Sequence, residues 1–71
     1  MSKPHEVIAA LATEYQRDSD EELLSRLRAL PPLADEKDQR WTTEAYWNEV
    51  AYPYVALADL AAERRLRAAM P

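Results

Sequence analysis

Ser19-Asp20-Glu21-Glu22-Leu23-Leu24-Ser25-Arg26-Leu27-Arg28-Ala29-Leu30-Pro31-Pro32 is the stretch on which the fold turns. Ser19 with Glu22 three residues later matches a capping box, in which two free backbone donors at a helix start are satisfied reciprocally. Asp20 and Glu21 add negative charge where the helix dipole favours it, and Arg26 and Arg28 add positive charge in the last turn. Leu23, Leu24, Leu27 and Leu30 return at helical spacing and form one buried stripe. Pro31-Pro32 ends the helix, since proline lacks a donor and restricts the residue before it.

On the N-terminal side, Val7, Ile8, Leu11 and Tyr15 recur at the same spacing and predict another helix. It starts near Ser2 to Pro4, where serine can cap and proline is tolerated in a first turn. It fades at Arg17 or Asp18. Only a residue or two then separates the two helices, so they must fold back as a hairpin over residues 3–30.

On the C-terminal side, residues 31–42 make a long polar connection that contains Asp35-Glu36-Lys37-Asp38, a place for mobility or for function. A third helix begins near Thr42 or Thr43, either of which can cap it. Tyr46, Val50, Tyr54, Leu57 and Ala61 fall on one line, with Trp47, Ala51 and Ala58 beside it. That line runs through Pro53, where an interior proline costs about 3 kcal/mol or more and kinks or breaks a helix. Because the stripe keeps its phase, the prediction is a kinked helix, or two helices in line, over about 43–62. Residues 54–70 then either continue as one helix or turn at Glu63-Arg64-Arg65, with Leu66, Ala69 and Met70 opening a further one.

Composition agrees. The 71 residues contain no glycine and no cysteine. Primed hairpin turns depend on glycine or Asn-Gly, whereas alanine, leucine, glutamate and arginine are good helix formers. The expected class is all-α: a helical hairpin packed on a kinked third helix, as a single domain or the N-terminal fragment of a longer one. A chain of this size buries only roughly 60% of its unfolded surface. With no disulfide to reinforce it, stability must come from close helix packing or from association, with a second copy or with another protein. Ending on Pro71 after Ala-Ala-Met suggests a chain cut there, with the parent continuing.

Several function classes lose support. The net charge is −4, and an acidic surface repels phosphate backbones, which argues against nucleic acid. No apolar run approaches the roughly 20 residues that span a bilayer, and no leader is apparent, so a cytoplasmic protein is expected. His5 is the only histidine, without an evident nucleophile or orienting group, and reads as a solvated residue in a frayed first turn. The run 35–38 lacks the central glycine of a calcium loop and is interrupted by Lys37. Glu44 and Glu49 have no Glu-x-x-His companion for a di-iron site. No phosphate-cradling loop is possible without glycine. The expectation is a non-enzyme with no cofactor, no metal and a protein partner.

Trp41, Tyr46, Trp47, Tyr52 and Tyr54 crowd into fourteen residues, and phenylalanine is absent. Every aromatic ring therefore carries a polar handle, a type enriched at interfaces. Either these rings fill the core, as large aromatics do in small domains, or Trp41, Trp47, Tyr52 and Tyr54 form a partner surface. Both hold together if Tyr46, Val50 and Tyr54 face inward and Trp41 and Tyr52 outward. Arg64, Arg65 and Arg67 most simply support a helix C-terminus or pair with Asp59 and Glu63 at helical spacing.

The segment 55–71, Val-Ala-Leu-Ala-Asp-Leu-Ala-Ala-Glu-Arg-Arg-Leu-Arg-Ala-Ala-Met-Pro, resembles the join between two repeats of the HEAT type, the group that includes phycobilisome-lyase-like (PBS-lyase-like) proteins. In that family a helix of the form Ala-x-x-Ala-Leu-x-x-Leu ends in a short polar turn, and a second helix opens with apolar residues. Ala56, Leu57, Leu60, the turn at Glu63 to Arg65 and Leu66 occupy those places. The family's frequent turn glycine is replaced by Ala61 or Ala62, and no second copy of the motif is present. The resemblance implies the first units of an α-solenoid with a concave binding surface, residues 1–30 being a divergent terminal hairpin. It carries no catalytic residue across. The alternative from another class is a compact acidic helical regulator, immunity- or antitoxin-like, that masks a basic partner. An enzyme or chaperone acting on a chromophore rests on fold analogy alone.

Overall fold

The computed structural model describes residues 3–35, 37–66 and 68. Ser2, Glu36, Arg67, Ala69, Met70 and Pro71, which figure in the readings above, lie outside the described residues. The described chain is all-helical, a helical hairpin packed on a third helix. Helix α1 is Pro4–Tyr15 and α2 is Asp20–Ala29; a 3-10 turn spans Gln39–Thr42. Three elements then follow end to end: α3 (Glu44–Tyr46), a π-helical stretch (Trp47–Ala51) and α4 (Tyr52–Glu63).

The start of α2 is built as its sequence dictates. Ser19 Oγ accepts from the Glu22 N–H at 3.2 Å, and the Glu22 carboxylate accepts from the Ser19 N–H at 3.3 Å. The helix stops where Leu30 turns extended (ψ 141°) ahead of Pro31. At α1 the cap is Lys3, whose ammonium has no acceptor to offer. Only the reciprocal half of a box forms there, the Lys3 N–H donating to Glu6 at 3.2 Å.

Pro53 is absorbed without a break. Tyr46, Trp47, Ala51 and Tyr52 all keep right-handed helical dihedrals. The turn before the proline widens, so that the Tyr52 N–H bonds to the Trp47 carbonyl, five residues back. The cause is steric: an ordinary turn would drive the pyrrolidine ring into the carbonyl four residues earlier, that of Glu49. Pro53 itself is buried. The inner face runs through Val50, Pro53, Ala56, Leu57, Leu60 and Ala61, while Tyr54 is only half-buried against it.

The core is a single aliphatic seam. Leu23 and Leu57 are the largest fully buried side chains, joined by Leu24, Leu27, Leu60 and the small Ala56 and Ala61. Tyr15 is the one aromatic in the buried cluster, with Ile8, Leu11 and Leu30 packed against its edge. Both arms of the hairpin pack chiefly on α4. The small residues of α4 allow that close approach. The Cα envelope is 15 Å thick, about what two helices packed at the usual interaxial distance of about 8–10 Å require.

The connections are fixed in three places, the first of them against expectation. Four residues, 16–19, rather than one or two, join α1 to α2. They are held by Arg64 from the far end of the chain, which donates to the carbonyls of Gln16 (3.0 Å) and Asp18 (2.7 Å) and to the Asp20 carboxylate (3.1 Å). Arg64 thus satisfies orphan carbonyls after a different helix, instead of pairing with Asp59 or Glu63 along its own. Arg26 closes the same turn from α2 by pairing with Asp18, and its guanidinium lies 4.9 Å from the Tyr15 ring centre.

Secondly, the chain turns after Glu63 and does not run on as one helix. Leu66 N–H returns to Ala61 O (2.8 Å) and Arg65 N–H to Ala62 O (3.1 Å), a Schellman arrangement with Arg65 left-handed at φ 60°. Leu66, half-buried, packs on the core. Thirdly, the connection 31–43 is tied down. Asp38 caps the 3-10 turn by accepting the Arg40 N–H (2.9 Å) and its Nε–H (2.6 Å), and Arg40 Nη2 donates to Pro32 O at 3.2 Å. Those two bonds, the backbone one first, hold the Asp38 carboxyl below its ordinary range. Among the described residues no helix is long and apolar enough to cross a membrane.

Candidate functional site

The aromatic block gathers at the junction of the 3-10 turn and the long helix. Thr43 organises that junction twice over. Its Oγ1 accepts the Tyr46 N–H at 3.2 Å, capping α3, and donates to Arg40 O at 2.8 Å. Of the two threonines considered as caps, Thr43 does the capping; Thr42 Oγ1 donates to Gln39 O at 2.7 Å.

Trp47 sits on the first residue of the π-helical stretch, so the widened turn that Pro53 imposes also sets this ring. Its Nε1–H donates to the Trp41 carbonyl at 2.6 Å, which pins the 3-10 turn to the helix. Tyr46 meets Trp47 edge-on at 5.8 Å between centroids, and Tyr52 lies tilted against it at 5.6 Å. Both are within the range of favourable aromatic pairs. The Tyr46 hydroxyl accepts the Ala34 N–H at 3.1 Å, binding the 31–35 segment to the same group.

Trp41 and Trp47 are exposed, at 47% and 40%, while Tyr46 and Tyr52 are half-buried. Tyr54 turns the other way, half-buried against the Leu/Ala core. The structure therefore brings Trp41, Tyr46, Trp47 and Tyr52 together and leaves Tyr54 apart from them. The core is closed by leucine and alanine, so the reading of these rings as core filler fails for Trp41 and Trp47.

Two open clefts flank Trp47. One, about 370 Å³, lies between α1 and the start of the long helix, against Val7, Thr43, Glu44, Trp47, Asn48 and Tyr52. The other, about 330 Å³, is bounded by Ala34, Asp35, Trp41, Tyr46 and Trp47. Sequence reasoning missed Ala34 and Asp35 as members of this group. Their approach depends on the Tyr46 hydroxyl bond, a tertiary contact that no local pattern announces.

His5, Asp35, Glu44 and Glu49 all lie on the surface. His5 is exposed in the first turn of α1. Asp35 Oδ1 accepts the Lys37 N–H at 2.9 Å, a local turn bond of the kind Asp favours. Glu44 and Glu49 are exposed on the helix. Among the described residues no group of three or more His, Cys, Asp or Glu side chains converges as metal ligands would. Comparison with known protein families, with curated proteins and with solved structures finds no match for this chain.

Proposed function

We propose that this protein is a non-enzymatic protein–protein interaction or scaffolding module, with the aromatic group around Trp47 as its contact surface. The observation that carries this reading is the exposure of two tryptophans in a domain whose core is already closed by leucine and alanine. Large rings held outside, pinned by the Trp47–Trp41 bond, present apolar area at little entropic cost to a partner. Residues Trp41, Trp47 and Tyr52 form the surface; Tyr54, turned to the core, stands apart from it. The likeness of residues 55–71 to a HEAT-type repeat join accords with such a scaffolding role, carried out in the cytoplasm without cofactor.

The test is quantitative affinity capture from the source cell with the whole chain, comparing wild type with Trp41→Ala and Tyr52→Ala. Partners lost with both variants, at unchanged helical content, support the reading. An identical set of partners for all three proteins refutes it.

A second reading is a small acidic regulator, immunity- or antitoxin-like, that masks a basic partner. The net charge of −4 and the carboxylates of Asp35 and Glu44 beside the two clefts favour it. A partner captured through the same residues that proves to be a basic toxic enzyme decides for this second reading.

A further inference from the structure

We infer that the cleft between Trp41 and Trp47 receives an arginine side chain of a basic protein partner, its guanidinium stacked on the indoles and paired with Asp35. The inference rests on the surface proposed above and specifies what that surface recognises. Three of the five residues around the cleft are aromatic, one is a carboxylate, and none is cationic. Indole faces attract cations through their quadrupole, most strongly among the aromatic side chains. A planar guanidinium both stacks on such a face and offers a fork of donors to a carboxylate, which a compact ammonium does not.

Two other rings already carry a cation from the chain itself, the buried Tyr15 and Tyr46, whose arginine lies towards Pro31 and Val50. Arg26 lies 4.9 Å from the Tyr15 ring centre and Arg40 5.8 Å from that of Tyr46. Among the described residues no arginine or lysine lies over Trp41 or Trp47. Lys37 is close in sequence but does not line the cleft. The Trp47 Nε1–H is already engaged by Trp41 O and the Tyr46 hydroxyl by the Ala34 N–H. Besides the Tyr46 hydroxyl proton, the cleft offers ring faces and Asp35 Oδ2, which accepts no hydrogen bond from the described residues, and both attract positive charge. The net charge of −4 draws a basic partner in the same direction.

Trp41 and Trp47 are the only tryptophans of the chain, so tryptophan fluorescence reports the surroundings of these two rings, and Asp35→Asn assigns a response to this cleft rather than to the one against Val7. The full-length protein is titrated with a short acetylated peptide bearing three arginines, and in parallel with its neutral citrulline counterpart and its lysine counterpart. Saturable quenching is expected with the arginine peptide, at least about fivefold weaker with lysine or citrulline and with added salt. Asp35→Asn, which keeps the acceptor for the Lys37 N–H, weakens the arginine peptide by about fivefold. Equal responses to arginine and citrulline, or no saturable response, overturn the inference. If the arginine peptide fails while Trp41→Ala still abolishes partner capture, the arginine reading falls and the contact surface stands. If Trp41→Ala changes neither, both fall.

Discussion

Replacing Arg64 with alanine removes the one side chain that ties the end of α4 to the turn between α1 and α2. Its guanidinium makes three hydrogen bonds there, two to the carbonyls of Gln16 and Asp18 and one to the Asp20 carboxylate. A charged donor contributes roughly 1.5–3 kcal/mol per bond in a buried setting. Arg64 is 24% exposed and Asp20 61% exposed, so water replaces part of what is lost, and the ion pair itself adds at most about 1 kcal/mol. The two carbonyl bonds then carry most of an expected loss of about 2–3 kcal/mol. For a chain of this length, total stability of about 4–10 kcal/mol is ordinary. The substitution therefore removes about a fifth of it or more. Urea unfolding followed by circular dichroism at 222 nm measures the change, with Asp20→Asn as the control for the ion pair alone. Asp20→Asn costs less than about 1 kcal/mol, and Arg64→Lys recovers only part of the loss because one ammonium does not match the fork that reaches both carbonyls. An Arg64→Ala loss below about 0.5 kcal/mol, or an equal loss from Asp20→Asn, refutes the assignment of the clamp to the carbonyls.

Leu57→Ala opens the centre of the seam, where Leu57 is 1% exposed; it costs about 3 kcal/mol or more in urea unfolding, and a loss below about 1 kcal/mol contradicts a seam closed at this residue. Arg65→Gly relieves a left-handed residue at φ 60°; it raises stability by about 0.5–1 kcal/mol, the steric gain exceeding glycine's entropic cost, and an unchanged melting temperature contradicts that account. Tyr15 is held above its ordinary phenol pKa, mainly by burial, against the opposing pull of Arg26. The folded state therefore keeps its proton where the unfolded state releases it. Stability from this group is intact below about pH 10 and falls as pH rises through the folded-state value. Tyr15→Phe flattens the decline in melting temperature between pH 9 and 11 relative to wild type, and identical slopes count against burial as the cause.

The class of fold and its local starts and stops were legible because they depend on neighbours in the chain. Ser19 and Glu22 reach each other across one helical turn, Pro31 constrains Leu30 directly, and Leu23, Leu24 and Leu27 share a face by geometry alone. The passage of the helix through Pro53 was readable from the apolar stripe on either side of it. The form of that passage, a widened turn carrying Trp47, was not, since it depends on where the Tyr52 N–H finds an acceptor.

Whether an aromatic ring lies in or out is set by what other elements bring to the same place. Tyr15 is buried because α4 and Arg26 close over it, while Trp41 and Trp47 stay outside because leucines and alanines had already filled the seam. Arg64 could not be assigned to Gln16 and Asp18 from the sequence, for 46 and 48 residues separate the bonded groups. Asp35 joins the tryptophans only through the Tyr46 hydroxyl bond to Ala34. Periodicity and capping are short-range and thus written along the chain. Burial of a ring, the partner of a long cation and the walls of a cleft arise only when distant segments compete for the same volume, and those the tertiary structure decided.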